Sequence, residues 1–154
     1  MKTIRYSLIG FLIVFSCLAI NAQKYKVRIG CLGNSITAGA NLTNPATESY
    51  PAQLQSMLDN MFGDTCDIEN FAVSGCTMLK NGDFPIWATK QFNLALDYFP
   101  HIFLISLGTN DSKPQNWDSY ADEFIDDYLS MIDTIKYYNP FAKFIVCLPP
   151  PAYQ

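Results

Sequence analysis

Tyr25-Lys-Val-Arg-Ile-Gly-Cys-Leu-Gly-Asn-Ser-Ile-Thr37 is an apolar stretch that runs straight into a polar turn. Val27 to Leu32 reads as a first strand, and Gly33 to Thr37 as the turn at its carboxyl end. A serine mounted on such a turn is exposed and stiffly held, which is what a nucleophilic hydroxyl needs. Gly33 permits an unusual backbone angle, and Ile36 is expected to anchor the turn in the core. The same residues also suit a serine that only caps the next helix. Ser35 therefore gains weight from two later segments of the chain. The turn is not the Gly-x-Ser-x-Gly elbow of α/β-hydrolases, because Thr37 stands where that elbow has its second glycine.

Outward from this stretch, strand-like and helix-like segments alternate. Ser49 to Met61 has helical spacing: Ser49 is a cap, Pro51 suits the first turn, and Leu54, Met57, Leu58 and Met61 share a face. Gly63-Asp64 ends it. Asp67 to Val73 reads as a second strand. A loop with Gly75, Asn81-Gly82 and Pro85 leads to a shorter helix near Ile86 to Asp97. His101 to Leu107 is nearly all apolar, as expected of a central parallel strand covered on both faces. Asp118 or Ser119 should cap a long helix with Tyr120, Phe124, Tyr128, Met131, Ile132 and Ile135 inward, stopped by Asn139-Pro140. Lys143 to Leu148 is the fourth strand. The order β-α-β-α-β-α-β predicts a parallel sheet with helices on both faces. Open sheets of this kind take their ligands beyond the carboxyl ends of the strands.

The bulk properties set the surroundings. Lys2 and Arg5 precede an apolar run from Leu8 to Ile20, and Asn21-Ala22-Gln23 offers a small residue for cleavage. Residues 1–22 read as a secretory signal peptide, since the run is short for a membrane-spanning helix. Phe15 fits a lipidation signal around Cys17 poorly. Removing Lys2 and Arg5 moves the net charge from -4 to -6. An exported acidic domain, residues 23–154, has no footprint for nucleic acid and no further membrane segment. Cys31, Cys66, Cys76 and Cys147 show no disulfide framework, and Cys31 and Cys147 read as buried thiols. With one histidine, His101, and no Cys-x-x-Cys pair, a zinc site is not expected, nor is any other cofactor.

Two further segments carry chemistry. In Asn70-Phe-Ala-Val-Ser-Gly-Cys76, Gly75 could bring its backbone N–H close to a ligand, although a turn glycine looks the same. In Gly108-Thr-Asn-Asp111, the Asn110 amide could donate to an oxyanion, with Gly108 removing bulk. Gly33-Asn-Ser-Ile-Thr37, Asn70-x-x-x-x-Gly75 and Gly108-Thr-Asn-Asp111, in this order and each after a strand, resemble the first three sequence blocks of the SGNH hydrolases, the GDSL esterase/lipase family. The resemblance runs from about Lys26 to Pro150. It implies a flavodoxin-like α/β/α sandwich, Ser35 as nucleophile, and an oxyanion hole built from the backbone N–H groups of Ser35 and Gly75 and the side chain of Asn110.

Two departures stand out. Asn34 replaces the aspartate usual in the first block, which removes one charge beside the serine. The family's last block, Asp-x-x-His, supplies the base and its orienting partner, and nothing here matches it. His101 opens the third strand, at the end of the sheet away from Ser35. The expectation is an incomplete domain that stops after its fourth strand. The third block and the export signal resemble those of exported carbohydrate deacetylases, so the expected substrate is a small ester, acetylated carbohydrate in particular. Trp87, Trp117 and the tyrosines near the loops could stack on sugars or serve as packing. A non-catalytic carbohydrate-binding module, an acyltransferase and a flavodoxin-like phosphate binder stay open, the last weakened by Ala38-Gly39-Ala40.

Overall fold

The computed structural model describes residues 25–150. The signal-peptide reading of residues 1–22 lies outside them. Four parallel strands, β1 (Val27–Gly33), β2 (Cys66–Asn70), β3 (Ile102–Ser106) and β4 (Lys143–Val146), form one sheet in the order β2-β1-β3-β4. Ile29 sets the register, standing opposite Ile68 on one side and Ile102 on the other. The chain leaves β1 for β2, then crosses back over β1 to β3. The connections that leave the carboxyl ends of β1 and β3 therefore diverge and open a crevice between them, the switch point at which such sheets bind ligands.

The connections hold short α1 (Ser35–Ala38) and α2 (Pro45–Glu48), then α3 (Tyr50–Phe62), α4 (Lys90–Tyr98), α5 (Pro114–Tyr120) and α6 (Phe124–Tyr138). β1 shows why the layers form. Its alternate residues point to opposite faces. Leu32 joins Phe92 and Ala95 of α4 and Met131 and Ile135 of α6 in one buried cluster with Phe103 and Ile105 of β3. Cys31 points the other way, beside the hydroxyl of Tyr50 on α3. The sheet is thus the middle layer of a three-layer α/β sandwich.

Several local expectations change. Ser49 precedes α3, but its side chain makes no capping bond. α3 half-buries Leu54 and Leu58, while Met57 and Met61 are 59% and 68% exposed. β2 ends at Asn70, although Phe71 and Val73 still donate to the Cys31 and Gly33 carbonyls at 2.9 and 3.0 Å. The helix after Pro85 is a 3-10 turn, Ile86–Ala88, followed by α4, which Thr89 caps through Phe92 N–H at 3.2 Å. Neither Asp118 nor Ser119 caps a helix. The long helix is split at Tyr120, whose φ of -135° and ψ of 11° are not helical, into α5, a 3-10 turn over Ala121–Glu123, and α6. On α6, Met131 and Ile135 are fully buried and Phe124 and Tyr128 pack against the core as expected, while Ile132 is only half-buried and Asp127 is buried instead. Among the described residues, Cys31, Cys66, Cys76 and Cys147 are free thiols. Cys31 is buried and Cys147 half-buried.

Candidate active site

Ser35 is the first residue of α1, directly after β1, and is half-buried. Asn34, buried, caps that turn: its Oδ1 accepts the Ile36 N–H at 3.0 Å. The amide thus meets the need for hydrogen bonding within the loop without a charge. Gly33 does not take an unusual angle. Its lack of a side chain matters because a Cβ there would clash with the Thr37 side chain. Thr37, fully buried, is what anchors the turn, while Ile36 is 45% exposed. The buried and exposed positions are the reverse of the expected ones because the helical turn swings Thr37 back under Gly33.

Gly75 has φ +86°, a left-handed conformation that favours glycine. The next residue joins the three segments. Cys76 is buried, and its Sγ donates to the Gly33 carbonyl at 3.3 Å. Its own carbonyl accepts Asn110 Nδ2 at 3.0 Å. Burial pushes the Cys76 thiol up to about 12, so it stays protonated and able to donate. Asn70 adds a second tie, from its Nδ2 to the Thr37 carbonyl at 2.9 Å. The loops after β1, β2 and β3 are therefore bonded to one another at the carboxyl edge of the sheet. Asn110 uses one of its two N–H groups on Cys76 and keeps a second.

Two residues that hold this arrangement carried no assigned role in the sequence reading. Asp111 is fully buried, and its carboxylate accepts the Met78 N–H at 3.1 Å and the Leu79 N–H at 2.7 Å. Burial raises its pKa above the ordinary carboxylate value, against these hydrogen bonds. Asn116 of α5, also buried, donates to the Asn110 carbonyl at 2.8 Å and to Asp83 at 3.0 Å. A carboxylate directly after Asn110 at the end of an apolar strand was a usable signal for Asp111. Asn116 had none, because its partners lie six and 33 residues away.

His101 stands at the opposite end of the sheet. Its Nδ1 accepts the Arg28 N–H at 2.8 Å, and its Nε2 bonds the Tyr25 hydroxyl. Trp87 is packing: its indole N–H donates to the Met78 carbonyl at 2.7 Å and its ring meets Phe92 edge-on. Trp117 is partly exposed against Phe124.

A parallel sheet with a serine turn after its first strand and an Asn-Asp pair after the next strand across defines a known class. Residues 31–154 match the GDSL-like lipase/acylhydrolase family, and the chain belongs to it. Over 110 residues it is 44% identical to an acetylxylan esterase of Xylanibacter ruminicola, an alignment that covers 71% of this chain and 22% of that protein. The chain thus spans about a fifth of that relative's length. The fold is that of a family two carbohydrate esterase from Clostridium thermocellum, solved in complex with cellohexaose. The TM-score is 0.63 at 21% identity, covering 86% of this chain and 46% of that one. A two-domain esterase active on acetylated mannans, co-crystallised with mannopentaose, is also similar, with TM-score 0.60 at 16% identity over 86% of this chain and 33% of that one.

Proposed function

We propose that this chain forms the acyl-transfer centre of a serine ester hydrolase that removes acetyl groups from carbohydrate. Ser35 Oγ attacks the acyl carbon and its proton passes to a base. The carbonyl electron pair moves onto oxygen, and the resulting oxyanion is received by the N–H groups of Ser35 and Gly75 and by Asn110 Nδ2. Collapse expels the sugar oxygen, which takes up a proton, and water then repeats the attack on the acyl-serine. The observation that carries this reading is the Asn110–Cys76 hydrogen bond. It holds the amide beside Gly75 with one N–H left to donate.

Carbohydrate is the favoured substrate because an acetylxylan esterase shares 44% identity with this chain over 110 residues. The export reading of residues 1–22 suits a polymer met outside the cell. These residues supply the nucleophile and the donors. His101, the one histidine of the sequence, is committed to Arg28 and Tyr25 and does not serve as the base. The second reading is a carbohydrate-binding module of the same fold.

The test is to join these residues to an Asp-x-x-His segment of a family member and measure acetate released from acetylated xylan. Release that disappears in Ser35→Ala supports the hydrolase. Release indifferent to Ser35→Ala removes the serine from the mechanism, and binding of xylan without release leaves the module.

A further inference from the structure

The segment between β2 and α4, residues 71–89, turns most of its apolar side chains inward. Phe71, Cys76, Met78, Leu79 and Ile86 are buried. Phe84 is turned out, 45% exposed, and it stands at the site: a Cβ on Gly75 would lie 3.8 Å from Phe84 Cδ1. Its backbone is clamped on both sides. The Phe84 carbonyl accepts the Thr77 N–H at 2.8 Å, and Ile86 N–H donates to the Thr77 carbonyl at 3.0 Å, a short parallel bridge. On the other side, Asp83 N–H donates to Asn116 Oδ1 at 2.8 Å. The Asp83 carboxylate accepts from Lys113, Gln115 and Asn116 at 3.2, 3.1 and 3.0 Å. Folding thus spends a dense set of bonds to hold an apolar ring against water beside the candidate oxyanion site.

A fixed aromatic face with polar neighbours matches one chemistry well. A pyranose ring presents a flat face of C–H groups, rimmed by hydroxyls. The face stacks on an aromatic ring, and the hydroxyls find hydrogen-bonding groups beside it. A ring on a backbone already held in place has less freedom to lose on binding. An acyl chain would instead want a continuous apolar wall, and Asp83, Lys113 and Gln115 next to Phe84 do not give one.

We infer that Phe84 is the platform on which a pyranose ring of the substrate stacks while the acetyl carbonyl faces Gly75 and Asn110. This rests on the carbohydrate reading of the site and adds the residue that selects for it. Phe84 acts through binding of the alcohol part of the ester and touches no reacting atom.

The test is a calorimetric titration of the protein with xylohexaose, using wild type, Phe84→Ala and Phe84→Trp. Phe84→Ala should raise Kd roughly tenfold, the scale of one good aromatic contact, and Phe84→Trp should stay near wild type. Acetylation of Ser35 by vinyl acetate, with imidazole as base, should be the same in all three, because vinyl acetate has no ring to stack. An unchanged Kd in Phe84→Ala, or no binding by wild type, overturns the inference. So does equal damage to xylohexaose binding and to vinyl acetate reaction, which would mean that Phe84 only shapes the Gly75 loop. Ser35 that is never acetylated, with Phe84-dependent binding intact, overturns the hydrolase reading and supports the platform.

Discussion

The side-chain amide of Asn110 donates to the main-chain carbonyl of Cys76 at 3.0 Å, fixing the loop after β3 to the loop after β2 one residue past Gly75. An oxyanion donor is useful only if its position is set before the reaction, so that no reorganisation accompanies charge development. The Cys76 carbonyl sets it for Asn110. Cys76 in turn is held by its Sγ on the Gly33 carbonyl, two residues before Ser35. The candidate nucleophile and both candidate donors thus share one short path of hydrogen bonds.

Asn110→Ala removes both the tie and the donor. In the protein supplied with a base, kcat for acetyl release should fall by roughly 10²–10³-fold. An unchanged kcat would take Asn110 out of the oxyanion hole. Steady-state kinetics on acetylated xylo-oligosaccharides makes the check.

Asp111→Asn keeps the shape of a fully buried group and changes its chemistry. The carboxylate accepts two N–H groups, from Met78 and Leu79. The amide accepts with one atom and opposes an N–H with the other. Leaving one buried donor unsatisfied costs about 1–3 kcal/mol, which urea unfolding should detect. The loop that carries Cys76 shifts with it, so kcat should drop while KM stays near wild type. Full stability in the variant would show that the two N–H groups find other partners.

His101 gives the fold a pH dependence. Burial, and secondarily the charge of Arg28, lowers its pKa below the ordinary value. Nδ1 must be unprotonated to accept the Arg28 N–H. The unfolded chain therefore binds this proton first as pH falls. The stabilisation is complete above about 6.5, the unfolded value, and is lost as pH drops through the lower folded value. The melting temperature of wild type should fall between pH 7 and pH 5, and the gap to His101→Gln should narrow over that range. Acetylation of Ser35 should be the same in both proteins. Loss of acetylation in His101→Gln would contradict the placement of His101 away from the site.

The outer edge of β4 is a surface for unwanted pairing. Among the described residues no strand pairs with it, and Ile145 and Val146 are 51% and 50% exposed. An apolar groove of about 320 Å³ adjoins it, lined in part by Ile125, Leu129 and Leu148. Unpaired edges with apolar neighbours promote association. The 154-residue chain should self-associate, and Ile145→Lys should reduce this, as read by light scattering after gel filtration. Equal scattering in both would acquit the edge.

Much of the fold was legible in the residues, for a physical reason. β1 is buried from Ile29 onward and β3 buries Phe103 and Ile105, so both appear as mainly apolar runs. The α3 face was overread, because Met57 and Met61 keep the spacing of buried residues yet lie in solvent. The break at Tyr120 was not legible, since no glycine or proline marks it. Ser35, Gly75 and Asn110 were singled out as candidates because each follows a strand in a specific short motif. The hydrogen bonds of Cys76, Asp111 and Asn116 were not legible, because each joins loops distant in sequence. Thr37, not Ile36, anchors the serine turn, since the short helix α1 carries Thr37 rather than Ile36 to the buried side.

The most direct measurement is peptide mapping by mass spectrometry after the protein meets vinyl acetate with imidazole as the base. The expected product carries an acetyl group on Ser35. It should require imidazole, vanish in Ser35→Ala and be strongly reduced in Asn110→Ala. Acetyl groups scattered over lysines and other hydroxyls, with Ser35 unmodified, would contradict the assignment of Ser35 as nucleophile.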